Sequence, residues 1–236
     1  VCIVVGSLGV GCMFQANQAY VQFVSVTGGA EGFFGSRGWL FGSILAFLTG
    51  LVIIGGIKSI AKVTSKLVPF MALLYVGTAL VVIGANFSEI PSAISAIVTN
   101  AFSPEGVTGG IIAVLILGFR RAAFSNEAGI GSSAIAHATV KTDEPLTQGF
   151  VAMLEPFIDT VVVCTITALV IILTVYDPAM LNEGTIRGVE LTSSAFASVI
   201  PWFPSVLALV VMLFAYSTMI SWSYYGLEGF VYMFGS

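Results

Sequence analysis

About six times along this chain an apolar stretch recurs whose length is close to or above the ~20 residues that carry a helix across a bilayer. The stretches cover about 1–24, 39–57, 67–85, 108–139, 147–174 and 202–232. They are long and continuous, whereas membrane-barrel strands are about ten residues with strict alternation. Hydrophobic residues make up 57% and charged residues only 8%, against roughly a quarter charged in a soluble domain. The solvent of this chain is therefore lipid, and the sequence predicts an all-α polytopic membrane protein forming a single transmembrane domain over 1–236. Val1 lies inside an apolar stretch and Ser236 just after one, so the sequence reads as a fragment incomplete at both ends. With a net charge of −4 and only eight Lys and Arg, nothing suggests a nucleic-acid partner.

The loops set an orientation. Lys58, Lys62, Lys66 and Lys141 fall in the second and fourth loops, while the first, third and fifth hold only Arg37 and Arg187 beside six acids. The positive-inside rule puts the second and fourth loops, and both ends of the chain, on the cytoplasmic side of a plasma (inner) membrane. Residues 86–101 place Ile90, Ile94 and Ile97 on one helical face and predict a short helix lying at the interface or packed over the bundle, with a second such cap at 191–200 ended by Pro201. Gly42, Ala46 and Gly50, and likewise Gly6, Gly9 and Gly11, are expected to admit close helix neighbours. Cys2, Cys12 and Cys164 lack partners at metal-ligand spacing and read as small core residues.

The fourth stretch cannot be one plain helix. Its ~32 residues would reach roughly 48 Å, well beyond a ~30 Å hydrocarbon core. Its middle reads Gly118-Phe119-Arg120-Arg121-Ala122-Ala123-Phe124-Ser125-Asn126-Glu127-Ala128-Gly129-Ile130-Gly131. Each charge at the bilayer centre costs roughly 2.5–3.5 kcal/mol on insertion scales. A discontinuous helix lining a cavity explains them, and such helices mark transporter sites. The break is expected at Glu127, Gly129 and Gly131, with 120–127 partly unwound. Asn126 and Glu127 also suit plain capping of the second half-helix.

In the fifth stretch Glu155 and Asp159 share a helical face, at a depth similar to Arg120 and Arg121. A structural ion pair between these arginines and acids is the leading reading, ahead of a coupling-ion role. The sixth stretch carries Ser217, Thr218, Ser221, Trp222, Ser223, Tyr224 and Tyr225. Its hydroxyls suit a small cation, or bond back to helix carbonyls. The first stretch offers Gln15-Ala16-Asn17-Gln18.

The run from Arg121 to Gly131 resembles the signature of the alanine or glycine:cation symporter family. Met13-Phe14-Gln15-Ala16-Asn17-Gln18, Val68-Pro69-Phe70-Met71-Ala72, Phe157-Ile158-Asp159-Thr160 and Ser221-Trp222-Ser223-Tyr224-Tyr225-Gly226 agree with it in order. The chain departs from the pattern at Ala122, where Gly is commoner, and at Leu227, which moves Glu228 one place on. The resemblance implies a partial LeuT-type inverted-repeat bundle, with the stretches similar to helices three to eight and the fourth discontinuous. It implies sodium-coupled import of a small neutral amino acid across the plasma membrane, with sodium as coupling ion and no other cofactor. By the same resemblance Gln15, Phe124, Ser125, Asn126 and Trp222 border the substrate, and Ser217 and Thr218 supply oxygens to sodium.

Other classes are another cation-coupled small-solute transporter of the same fold, an intramembrane enzyme and a channel. An enzyme needs a nucleophile–base set or a metal cluster, and His137 is the lone histidine, expected at a cytoplasmic edge. A channel needs rings of charge or repeated filter loops, which the sequence lacks.

Overall fold

The computed structural model describes residues 1–101, 111–127, 130–175 and 188–235, which form helices and turns without a strand. Four helices are long and apolar enough to cross a membrane: α1 (Cys2–Val26), α3 (Gly56–Ala85), α7 (Pro145–Thr174) and α9 (Phe203–Phe234). The shorter helices are α2 (Gly38–Ile53), α4 (Ile90–Ala101), α5 (Ile111–Ser125), α6 (Ser133–His137) and α8 (Val189–Ala197). Large apolar side chains such as Leu73, Phe119 and Phe150 remain exposed, as expected where lipid is the solvent. Short helices are present near both segments where they were expected, as α4 and α8.

Two long helices change their winding part-way. Ser7–Phe14 within α1 and Phe157–Cys164 within α7 are π-helical, a widened turn with i→i+5 bonding that is frequent at functional sites. In α7 the cause is visible. Pro156 has no N–H for the preceding turn, and the wide winding begins at the next residue. In α1 the stretch contains Gly9 and Gly11, which fill no space.

The chain divides into two compact units, one of residues 1–78 with 177–236 and one of residues 79–176. In the first, α9 is the spine, packed along α1 and against α2 and α8. Ala19, Phe41, Leu45, Ala215 and Met219 form its core. The rings of Tyr75, Phe196 and Phe203 stack in a second apolar cluster, with centroids 5.6 and 4.8 Å apart. In the second unit α4 packs on the last turns of α7, and α5 meets the π-helical part of α7.

Three expectations are corrected. Lys58, Lys62 and Lys66 do not lie in a loop. The connector is only Ile54-Gly55, Gly56 turns the chain at φ +65, and the lysines occupy the opening turns of α3. Lysine is a good helix former, so its charge shortened the apolar stretch without ending the helix. Gly42 and Gly50 meet no neighbour within 4 Å, whereas α2 buries Phe41, Leu45 and Thr49 on another face. Cys2 and Cys164 are exposed and not in a core. Glu105, Asp177, Glu183 and Arg187, used for the orientation, lie outside the described residues.

Candidate substrate and ion site

Helix α5 runs intact through Arg120 and Arg121 to Ser125, so the chain unwinds only at the end of the expected 120–127 segment. Asn126 and Glu127 leave the helix, and Glu127 takes φ +60, alone among the described non-glycine residues in that region. A left-handed conformation costs a residue with a Cβ roughly 1–2 kcal/mol, so surrounding contacts must hold it. They do. The Glu127 carbonyl accepts the amides of Ile130 at 3.1 Å and Gly131 at 2.7 Å. The Glu127 carboxylate accepts the Ser132 hydroxyl at 2.7 Å, and Ser132 is fully buried. Gly131 takes φ +76, where glycine is unstrained. The expected break residues Glu127 and Gly131 thus stand at the break; Gly129 lies outside the described residues.

From the end of α5 two side chains reach the π-helical stretch of α7. Ser125 Oγ donates to Asp159 Oδ2 at 2.5 Å, and Asn126 Nδ2 donates to Thr160 Oγ1 at 3.0 Å. Thr160 Oγ1 itself donates to Asp159 Oδ2 at 3.2 Å. The result is a chain of amide, hydroxyl and carboxylate running between a helix break and a widened turn. Phe124 occupies the last turn of α5.

The expected ion pair is not formed. Arg120 and Arg121 are exposed, Asp159 takes hydroxyl protons, and Glu155 takes His137, whose Nε2 lies 3.5 Å from Glu155 Oε2. His137 Nδ1 lies 2.5 Å from Gln148 Nε2. An amide N–H can only donate, so His137 Nδ1 accepts and Nε2 carries the proton toward Glu155. The short Ser125 side chain, one turn beyond Arg121, is the one that meets Asp159.

In the other unit, Ser217 Oγ and Thr218 Oγ1 each donate to the Phe214 carbonyl at 2.9 Å. Ser221 Oγ donates to the Ser217 carbonyl, also at 2.9 Å. Each hydroxyl spends its one proton on its own helix and keeps oxygen lone pairs. Trp222 is 3% exposed and lies against α1. A Cβ on Gly11 would fall 2.6 Å from Trp222 Cβ, and one on Gly6 3.2 Å from its ring. Gly6 and Gly11 are five apart, the spacing that a π-helix stacks on one face. Gln15, the first residue after that stretch, is half-buried.

Gln22 escaped the sequence reading. It is fully buried, donates through Nε2 to Ser193 Oγ at 3.1 Å, and keeps Oε1 without a partner among the described residues. Its position one turn beyond Gln18 was the only available signal.

Long apolar helices, one broken and two locally widened, with polar side chains gathered at a break, define a multi-pass membrane protein. The chain belongs to the Sodium:alanine symporter family, whose profile matches residues 1–236. It is 39% identical over 231 residues to the "Sodium/alanine symporter AgcS" of Methanococcus maripaludis, covering 98% of this chain and 49% of that protein. It is 36% identical over 222 residues to the "Probable sodium/glutamine symporter GlnT" of Bacillus subtilis, covering 93% and 45%. It is 31% identical over 227 residues to the "Sodium/proton-dependent alanine carrier protein" of Bacillus sp. (strain PS3), covering 90% and 51%. The chain spans about half the length of these relatives.

Proposed function

We propose that the whole protein containing this chain imports a small neutral amino acid, of the alanine or glycine type, together with sodium. The observation that carries this reading is the junction of Ser125 and Asn126 with Asp159 and Thr160 at the end of a broken helix. A broken helix supplies unpaired backbone groups and polar side chains at a depth where a continuous helix has none. Phe124, Ser125 and Asn126 then bind the amino acid. Gln15 and Trp222 keep their assignment to substrate, and Ser217 and Thr218 theirs to sodium, on the family resemblance. The backward-turned hydroxyls of Ser217 and Thr218 are compatible with it, because their lone pairs remain available to a cation.

In this reading the chain is one transmembrane domain of the plasma membrane, part of a LeuT-type inverted repeat, with both ends cytoplasmic. The relatives named for sodium/alanine and sodium/glutamine symport support an amino-acid substrate with sodium coupling. The relative named as sodium/proton-dependent supports a second reading in which a proton replaces sodium. The test is alanine and glycine uptake into proteoliposomes holding the full-length protein. An inward sodium gradient should drive accumulation that an equal potassium gradient does not. Uptake that ignores sodium and follows an imposed proton gradient would favour the second reading. Uptake driven by neither gradient would defeat both.

A further inference from the structure

The lysines in the opening turns of α3 stand on one stripe of the helix. Lys58, Lys62 and Lys66 follow at four-residue steps, and the next step along the stripe is Phe70, which is 55% exposed. Side chains four apart are neighbours on a helix surface, and like charges at that spacing repel. All three lysines are exposed. Among the described residues none of them has an acidic partner; the ion pair there joins His137 to Glu155.

Beside this stripe the surface is hollow. Helix α3 meets α9 through the rings of Tyr75 and Phe214, 6.3 Å apart. Nearer the start of α3 an open groove of about 540 Å³ is lined by Lys62, Val63, Lys66, Leu67 and Phe70 of α3 and by Leu213 of α9. Lipid is the solvent of such a surface, so an apolar groove on it takes an acyl chain. The two cations then choose the headgroup. A zwitterionic headgroup brings an ammonium of its own against the lysines, whereas an anionic one brings none. Basic pockets between membrane helices bind anionic headgroups for this reason. The orientation proposed above sets the start of α3 in the cytoplasmic leaflet, whose surface potential is negative.

We propose that the groove between α3 and α9 holds an anionic phospholipid. Its phosphate sits on the ammonium groups of Lys62 and Lys66, and an acyl chain lies against Val63, Leu67, Phe70 and Leu213. The negative charge offsets the repulsion along the lysine stripe, and the chain fills the cleft that the Tyr75–Phe214 contact leaves open. A lysine suits this place because its stem covers apolar surface while its charge stays at the polar edge. The site is independent of the symport reading, since the lipid binds the resting protein without substrate or gradient.

The test is equilibrium binding of labelled phosphatidylglycerol to the purified full-length protein in a neutral detergent, beside phosphatidylcholine. Wild type should prefer phosphatidylglycerol by about thirtyfold, at about fivefold for each lysine. K62Q and K66Q should each weaken phosphatidylglycerol by about fivefold, and the pair by about thirtyfold, with phosphatidylcholine unchanged. K141Q, which removes the same charge elsewhere on the protein, should alter neither lipid. F70A should weaken both lipids alike, because it removes contact with the chain. Inorganic phosphate should displace neither. Glutamine keeps the helix propensity of lysine, and the single variants decide the matter if the pair fails to fold. Equal affinity for the two lipids, an equal loss in K141Q, or displacement by inorganic phosphate would each overturn the site. So would the absence of lipid binding, the result expected if another segment of the full-length protein fills the groove.

Discussion

In α9 the hydroxyls of Ser217, Thr218, Ser221 and Ser223 all donate to carbonyls of their own helix. At the end of α5, by contrast, Ser125 and Asn126 reach side chains of another helix. The residue types are similar, and the difference is the backbone beneath them. An intact helix always offers a carbonyl three or four residues back, and a serine or threonine takes it. Where the ladder stops, at Asn126, or widens, at Phe157–Cys164, side chains find partners outside their own turn. Between these two segments, the short polar side chains gain tertiary partners where the helix is irregular.

The sharpest way to break that comparison is to remove one member of the α5–α7 junction. Asp159→Ala deletes the acceptor shared by Ser125 and Thr160, and hydrogen bonds to charged groups contribute about 1.5–3 kcal/mol each. Sodium-driven alanine uptake by the full-length protein should fall by more than about tenfold per lost bond. The initial uptake rate at fixed surface expression checks this.

Next in size is the packing of α1 on Trp222. Gly11→Ala places a methyl 2.6 Å from Trp222 Cβ, an overlap that only backbone shift can relieve. Overpacking of this kind costs typically about 1–3 kcal/mol, read as a lower melting temperature in detergent. Gly42→Ala, which meets nothing within 4 Å, should melt at or above the wild-type temperature.

Smaller again is the break itself. Ser132→Ala removes the buried hydroxyl that holds Glu127, costing about 1–3 kcal/mol at most, with melting temperature again the measurement. Glu127→Gln keeps an acceptor oxygen and should lose less. The smallest effect belongs to α9. Ser221→Ala and Ser223→Ala remove only bonds within their own helix and should stay within about 0.5 kcal/mol of wild type. A loss at Ser221 as large as that at Asp159 would erase the contrast.

Much of this was legible in the sequence. Three charges, an asparagine and two glycines inside one apolar stretch announced the break, because lipid tolerates such groups only at irregular, cavity-lining backbone. The family motif pointed to Ser125 and Asn126. The π-helical stretches were not legible, since widening a turn leaves composition and apolar periodicity almost unchanged; Pro156 alone hinted at the second. The partner of Asp159 was misjudged because counting residues from a membrane edge gives depth, and depth does not say which side chain faces the acid. His137 was set aside as a lone histidine, and its contacts with Gln148 and Glu155 join residues 11 and 18 positions apart, a distance that no helical spacing rule covers. The α3 lysines misled for a different reason: charge marks where apolar character stops, and a helix continues past that point.

In the proposed function the end of α5 is a water-accessible place where substrate binds. Single cysteines at Ala123, Ser125 and Asn126, in a full-length protein otherwise free of cysteine, test it most directly. A polar, membrane-impermeant thiol reagent should label Ser125→Cys and Asn126→Cys, and saturating alanine with sodium should slow that labelling, by filling the site or shifting the open population. Little labelling at all three positions, unchanged by alanine and sodium, would contradict the account and reduce the break to a kink in a buried helix.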